Sequence, residues 1–318
     1  MADAPPWPWV VALALALEAA LGYPAWLLRL APHPVAWPAA LIEILELGWN
    51  RPAFGDQGRR FLGVAVMVIV AGLAIGLGLV LHRALAGHWL GLLAIALIAT
   101  VGLAQRSLHQ HVAAVLTALR ADDIPTARVA LAMIVGRDTE RLGAHEIAAA
   151  ALESLAESFN DGVVAPAFWL LVGGLPGLFA YKAVNTADSL IGHREPRWRM
   201  FGWAAARADD VMNLVPARIA GPLIALAAGR GWAIMFRDAR LHASPNAGWP
   251  EAAMAGGLAV RVGGEARYEG VTKLGAALGD GPAPTTLDLE RGLSLYRRAC
   301  VLLWMILLMI GLIARLAR

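Results

Sequence analysis

Long apolar runs dominate the chain, and between them Arg, Asp, Asn and His collect in short clusters. Phe61–Leu81, FLGVAVMVIVAGLAIGLGLVL, holds no charged residue and meets the roughly 20 apolar residues needed to cross about 30 Å of hydrocarbon. WLGLLAIALIATVGLA (89–104) reads as a second span. CVLLWMILLMIGLIA (300–314), flanked by Arg297, Arg298 and Arg315, reads as the last. PWVVALALALEAALGYPAW (8–26) is apolar too but carries Glu18. An ionised carboxylate at mid-membrane costs roughly 3 kcal/mol, so Glu18 sits near an interface or faces other helices.

Two further apolar runs are interrupted. In 163–180, Gly173-Gly174-Leu175-Pro176-Gly177 breaks the hydrogen-bond ladder that lipid demands. In 211–229, VMNLVPARIAGPLIALAAG contains Pro216, Arg218 and Pro222. Both read as broken or re-entrant segments that face protein rather than lipid. Arg29, Arg51, Arg59 and Arg60 precede the Phe61–Leu81 span, against Arg83 in the short turn after it. That asymmetry places 29–60 on the cytoplasmic side and 82–88 outside. The segments 105–160 and 230–298 then read as cytoplasmic insertions, the first Ala-rich and helical, the second basic with Gly/Pro turns. The expected fold is all-α, one polytopic membrane-embedded domain over 1–318.

Composition agrees with this pattern. Of 318 residues, 58% are hydrophobic and 16% charged, against about a quarter charged in a soluble domain. The formal charge of +3 comes without a basic helix or an aromatic–basic motif, so no nucleic-acid partner is expected. The single Cys300 lies in the last apolar run, which excludes a disulfide framework and a thiolate metal site. No basic n-region or small-residue cleavage site marks the first apolar run, so it reads as a retained helix.

Four polar constellations stand out. In ALESLAESFNDGVVAP, Glu153 and Glu157 are four apart and share a helix face, and Asn160-Asp161-Gly162 would end that helix. The pair is either a solvated face or a cation site, since hard ions such as Mg²⁺ take carboxylate oxygens. In YKAVNTADSLIGHR, Lys182, Asn185, Asp188 and Ser189 precede Gly192, His193 and Arg194. In ARADDVMNLVPAR, Arg207, Asp210 and Asn213 recur every third residue, with Asp209 and Arg218 beside them. These two sets are interfacial anchors or a functional site, and ionisable groups so close to a membrane favour the second. In HASPNAGWPE, Ser244-Pro245-Asn246 has turn chemistry and Pro250-Glu251 starts a helix, so His242, Asn246 and Glu251 are placed to converge on a ligand. Downstream, RVGGEARYEG reads as a Gly-Gly hairpin turn or as backbone N–H groups meeting an anion. The chain has no P-loop, no H-E-x-x-H, no G-x-S-x-G and no clean dinucleotide fingerprint. His109 and His111, two apart, lie on different helix faces.

Six ordered stretches carry a resemblance: HP (33–34), GRDT (136–139), ESLAESFNDGVVAP (153–166), AYKAVNTADSLIGHR (180–194), FGWAAARADDVMNLVPARI (201–219) and HASPNAGWPEAAMAG (242–256). Together they resemble the CobD/CbiB family of cobalamin biosynthesis over nearly the whole chain. Where many members have Gly-Asp-Pro near the first helix, this chain has Gly22-Tyr23-Pro24.

The resemblance implies a multi-pass enzyme of the cytoplasmic membrane with a cytosolic active site. It would join (R)-1-amino-2-propanol, or its O-phosphate, to adenosylcobyric acid at the expense of ATP, with Mg²⁺. Its partners would be these substrates, the lipid bilayer and other membrane enzymes of the corrinoid pathway. On this reading Glu153, Glu157, Asp161, Asp188, Asp209 and Asp210 supply Mg²⁺ ligands, and Lys182, Arg194, Arg207 and Arg218 hold phosphates. His193 is the expected base, with Asp188 and Asp210 also catalytic. Asn185, Asn213, His242, Asn246 and Glu251 bind substrate. ATP is cytosolic, so 163–180 and 211–229 are expected to enter the membrane without carrying 181–210 across. Rival readings are a Mg²⁺-dependent prenyl or phospho-group transferase, which lacks a full D-D-x-x-D spacing here, and a non-catalytic AmpE-like sensor.

Overall fold

The computed structural model describes residues 6–23, 33–193, 195–268 and 270–317. Among these the protein is helical apart from one two-stranded hairpin. Four helical runs are long and apolar enough to cross a membrane: Pro52–Leu85, Trp89–Arg120, Ala144–Ile191 and Thr286–Leu316. Trp203–Met212 with Leu214–Ala228 makes a fifth if that bent pair is one span. The protein is therefore a polytopic α-helical membrane protein. Two compact units are present, Met1–Ala104 with Ala165–Met212 and Leu307–Arg318, and Gln105–Val164 with Asn213–Ile306.

In the first unit, α1 (Trp7–Leu21) is a 15-residue apolar helix, short for a full crossing. Its Glu18 is buried within protein, which resolves the choice left open by the sequence. Next come α2 (Ala36–Trp49), α3 (Gly55–Leu85) and α4 (Trp89–Ala99). α3 is the spine against which α8 (Ala165–Ile191) packs. Small residues set that closeness. A Cβ on Gly78 would lie 2.7 Å from the Pro176 backbone of α8, and one on Gly63 would lie 1.9 Å from the carbonyl oxygen of Phe201, in the turn before Trp203. Without hydrophobic drive between helices in lipid, such close backbone approach supplies the packing. Ile42, Val66, Val70, Ala187, Ile191 and Phe201 form the core under the polar end of α8.

α8 is not one straight rod. Gly174 takes φ 61 and ψ −153, a conformation that excludes most side chains, and its Cα faces the His82 ring at a distance a methyl would close to 2.8 Å. Pro176 follows and removes a backbone donor. The half-helix after this break carries Lys182, Asn185, Asp188 and Ser189. It packs against α9 (Trp203–Met212).

The second unit holds α5 (Gln105–Arg120), α6 (Ile124–Ala132), α7 (Ala144–Phe159), α10 (Leu214–Ala228), α11 (Trp232–Asp238) and α12 (Gly248–Leu258). It also holds the hairpin β1 (Val262–Tyr268) and β2 (Val271–Leu278), and the first part of α13 (Thr286–Leu316). Two expectations are corrected here. Asn160-Asp161-Gly162 does not end a helix: the chain widens into a π-helical turn, Asn160–Val164, and continues as α8. Gly263-Gly264 is not the hairpin turn either. Tyr268 pairs with Val271, so the strands reverse beyond Tyr268, and Gly263-Gly264 sits where the register slips between Gly263 and Glu265. Both glycines have positive φ, as a bulge needs.

Candidate functional site

The predicted residues fall into two sets, one in each unit. In the second unit, α7 presents Glu153 and Glu157 four residues apart. Glu153 is fully engaged: Arg137 donates to Oε2, and the Gly263 N–H donates to Oε1 at 2.5 Å. The backbone N–H group at Gly263 thus does meet an anion, and that anion is the protein's own. Burial works against charge on Arg137, and Glu153 more than restores it, so the guanidinium holds its proton more tightly than usual. Glu251, on the first turn of α12, is 5% exposed. Burial, then the charges of Glu157 and Glu153, push its carboxyl well above the usual carboxylate range, against the pull of Arg137. His242 Nε2 approaches Glu251 Oε1 at 3.8 Å.

Local turn chemistry positions this group. The Ser244 N–H donates to His242 Nδ1 at 3.0 Å, and Ser244 Oγ accepts from the N–H groups of Asn246 and Ala247 at 3.2 and 3.3 Å. α12 starts directly behind this turn, two residues earlier than Pro250 suggested. Arg218, on α10, donates to Asn246 Oδ1 at 3.2 Å and lies over the Trp249 ring. At the π-turn the Asn160 amide donates to Asn213 Oδ1 at 2.9 Å and to Asp161 Oδ1 at 2.7 Å. Asn160 Oδ1 is buried with no hydrogen-bond partner among the described residues. An acceptor left so at a π-turn is a cost of the kind that functional sites carry. Glu153, Glu157, His242 and Glu251 thus form one group, Arg218 and Asn246 a second, and Asp161 and Asn213 a third.

In the first unit, Lys182 Nζ donates to Asn185 Oδ1 at 3.3 Å, and Asn185 Nδ2 donates to Asp209 Oδ1 at the same distance. This chain of contacts joins α8 to α9. Arg207 pairs with Asp210 at 3.0 Å, one turn along α9. Asp188 Oδ1 lies so close to Gly192 that a Cβ there would come within 1.9 Å of it. His193 meets the Trp198 ring edge-on, with centroids 6.4 Å apart. Arg194 lies outside the described residues. Among the described residues no group of three or more His, Cys, Asp or Glu side chains is placed to hold a metal ion.

Two residues escaped the sequence reading as site members. Arg137 was visible only within GRDT, and nothing in its spacing points to Glu153. His33, of the HP pair, has its pKa lowered by burial and then by the nearby Lys182 ammonium.

The family described as CobD/Cbib protein matches residues 11–296. The chain belongs to the CobD/CbiB family. Among its relatives, the cobalamin biosynthesis protein CobD of Rhodobacter capsulatus is 49% identical over 309 residues, covering 96% of each chain. The protein of the same name from a Sinorhizobium species is 43% identical and covers 96% of this chain and 98% of its own. That from Brucella anthropi is 47% identical over 81% of this chain and 82% of its own. No solved structure matches. Within the CobD/CbiB match lie both polar sets and Arg137.

Proposed function

We propose that this protein works in cobalamin biosynthesis as a membrane enzyme that forms an amide between adenosylcobyric acid and aminopropanol or its O-phosphate, driven by ATP. The observation that carries this reading is the end-to-end likeness, 96% of both chains, to a protein named for that pathway. The two polar sets supply suitable chemistry.

A carboxylate resists an amine because its oxygen is a poor leaving group. Transfer of the terminal phosphoryl group of ATP to the propionate oxygen forms an acyl phosphate and releases ADP. The amine nitrogen then attacks the acyl carbon, the carbon–oxygen bond to phosphate breaks, and inorganic phosphate leaves. Placement and neutralised charge do most of the work in such transfers. Lys182 is proposed to hold phosphate oxygens, and His193 to take up the proton that the amine sheds.

Mg²⁺ is usually held by one or two carboxylates together with substrate phosphates, so a three-carboxylate cage is not required. Asp188 and Asp209, on packed helices, would hold it, and the bound ion would screen the polyphosphate. Glu153 is left out of that role, since both its oxygens are taken. Glu251, whose carboxyl is pushed above the usual carboxylate range by burial and then by Glu157 and Glu153, is proposed to contact the corrinoid. The site would face the cytosol, where ATP and the corrinoid are found.

The test is purified full-length protein in detergent with adenosylcobyric acid, ATP–Mg²⁺ and each amine in turn, scored by mass spectrometry. The expected product has the mass of the corrinoid plus amine minus water, with ADP formed in equal amount. Absence of that mass with either amine, in protein that remains folded, would overturn the proposal.

A further inference from the structure

Outside both sets, the second unit carries a concavity of about 210 Å³ lined by three guanidinium groups and no carboxylate. Arg291, Ser294 and Arg298 come from one face of α13, spaced three and four apart. Arg230 comes from the end of α10, just after Gly229, which caps that helix in the left-handed conformation (φ 68). Gly257 forms part of the wall; a Cβ there would come within 3.0 Å of Ala228 and 3.2 Å of Leu295. Arg291 is held in place by Asp288 at 2.8 Å. Arg230 and Arg298 make no ion pair and no side-chain hydrogen bond among the described residues.

With Arg291 paired to Asp288, Arg230 and Arg298 still bring two like charges to one hollow, an arrangement that a ligand of opposite sign makes attractive. Guanidinium forks match phosphate oxygens in pairs, and Ser294 adds a hydroxyl donor. We propose that Arg230, Arg291, Ser294 and Arg298 form a binding site for a phosphate-bearing anion. The hollow suits a phosphoryl or diphosphoryl group and is too small for a corrin ring. Arg298 directly precedes the apolar run of α13, so the phosphate belongs either to a soluble molecule or to a lipid headgroup at the membrane boundary.

The test uses the full chain in neutral detergent with inorganic pyrophosphate, and in nanodiscs of phosphatidylcholine with or without phosphatidylglycerol. Binding is read by calorimetry in the first arm and by the thermal midpoint in the second. Wild type is compared with Arg230→Gln/Arg298→Gln, whose altered side chains are exposed and need not disturb folding. Arg230→Gln alone serves if the double variant fails to fold. The expected result is binding in one arm that weakens at least 10-fold, or a midpoint rise that disappears, in the variant. Response in the pyrophosphate arm alone marks a soluble ligand, and in the phosphatidylglycerol arm alone a lipid. Equal response of wild type and variant in both arms, or no response of wild type in either, overturns the site.

Discussion

Gly263 and Glu153 are joined by a 2.5 Å hydrogen bond from backbone N–H to carboxylate, 110 residues apart in the chain. The contact ties the bulge of the hairpin to the acidic face of α7. It also fixes Glu153 as a partner of Arg137 rather than a free ligand, while Glu251 is the carboxyl of this group pushed above the usual range.

Breaking that arrangement from the Arg137 side should be costly. Removing one member of a buried pair leaves an uncompensated charge, typically about 3–5 kcal/mol. Arg137→Ala should lower the thermal midpoint sharply in detergent. Arg137→Met with Glu153→Met should recover part of the loss, though not all, since the Gly263 N–H then lacks its acceptor. A double-mutant cycle showing additive losses would contradict the pairing.

Glu251 predicts a pH dependence of stability. Its folded-state pKa is raised, by burial first and then by Glu157 and Glu153. Folding therefore favours the protonated form. This contribution is fully present below the unfolded-state pKa and is lost as pH rises through the folded-state value. The thermal midpoint should fall on the alkaline side of that window, and Glu251→Gln should flatten the fall. A difference of roughly 2–4 °C corresponds to about 1 kcal/mol in chains of 150–250 residues. Parallel curves for the two proteins would refute the assignment.

On the α8–α9 side, Asp188→Ala and Asp210→Ala should each reduce amide formation by about 100-fold or more while membrane insertion is unchanged. Gly192→Ala should mimic Asp188→Ala in part, because the new methyl group drives the carboxylate from its place. Near-normal turnover in the aspartate variants, measured by corrinoid mass, would remove these residues from the reaction.

Ser189 is exposed beside Asp188 and reports the side of the membrane. A cysteine there, in a Cys300→Ser background, should resist an impermeant maleimide added to intact cells. It should react once the cytoplasmic face is opened. Labelling in intact cells would contradict a cytosolic site.

The long apolar helices were legible because an uncharged run such as Phe61–Leu81 has one physical solution in lipid. The break near Gly174 was legible for the same reason, since Gly and Pro interrupt a ladder that has no water to replace it. The π-turn at Asn160 was not, because Asn-Asp-Gly carries the same local preferences whether a helix stops or widens, and packing against α10 decides. The Gly263-Gly264 pair misled in a similar way: positive φ serves a bulge as well as a turn, and only the register separates them. Arg137 was missed because the contact with Glu153 depends on the path of the chain between them, which no spacing rule encodes. Lys182, Asn185 and Asp209, by contrast, were singled out by residue type alone, and the structure joins them in one run of hydrogen bonds.

The segment around Arg137 holds both ends of the hairpin. Arg137 shares Glu153 with Gly263, while Asp138 accepts from the Gly270 N–H at 2.8 Å and donates its own N–H to the Arg267 carbonyl at 2.7 Å. A lone two-stranded ribbon is marginal in water, and these contacts, with the burial of Val262 and Leu278, anchor its strands. The ribbon is thus a built-in gauge. Amide exchange along Val262–Leu278 would register, without any substrate, whether the carboxyl cluster of α7 and α12 is assembled.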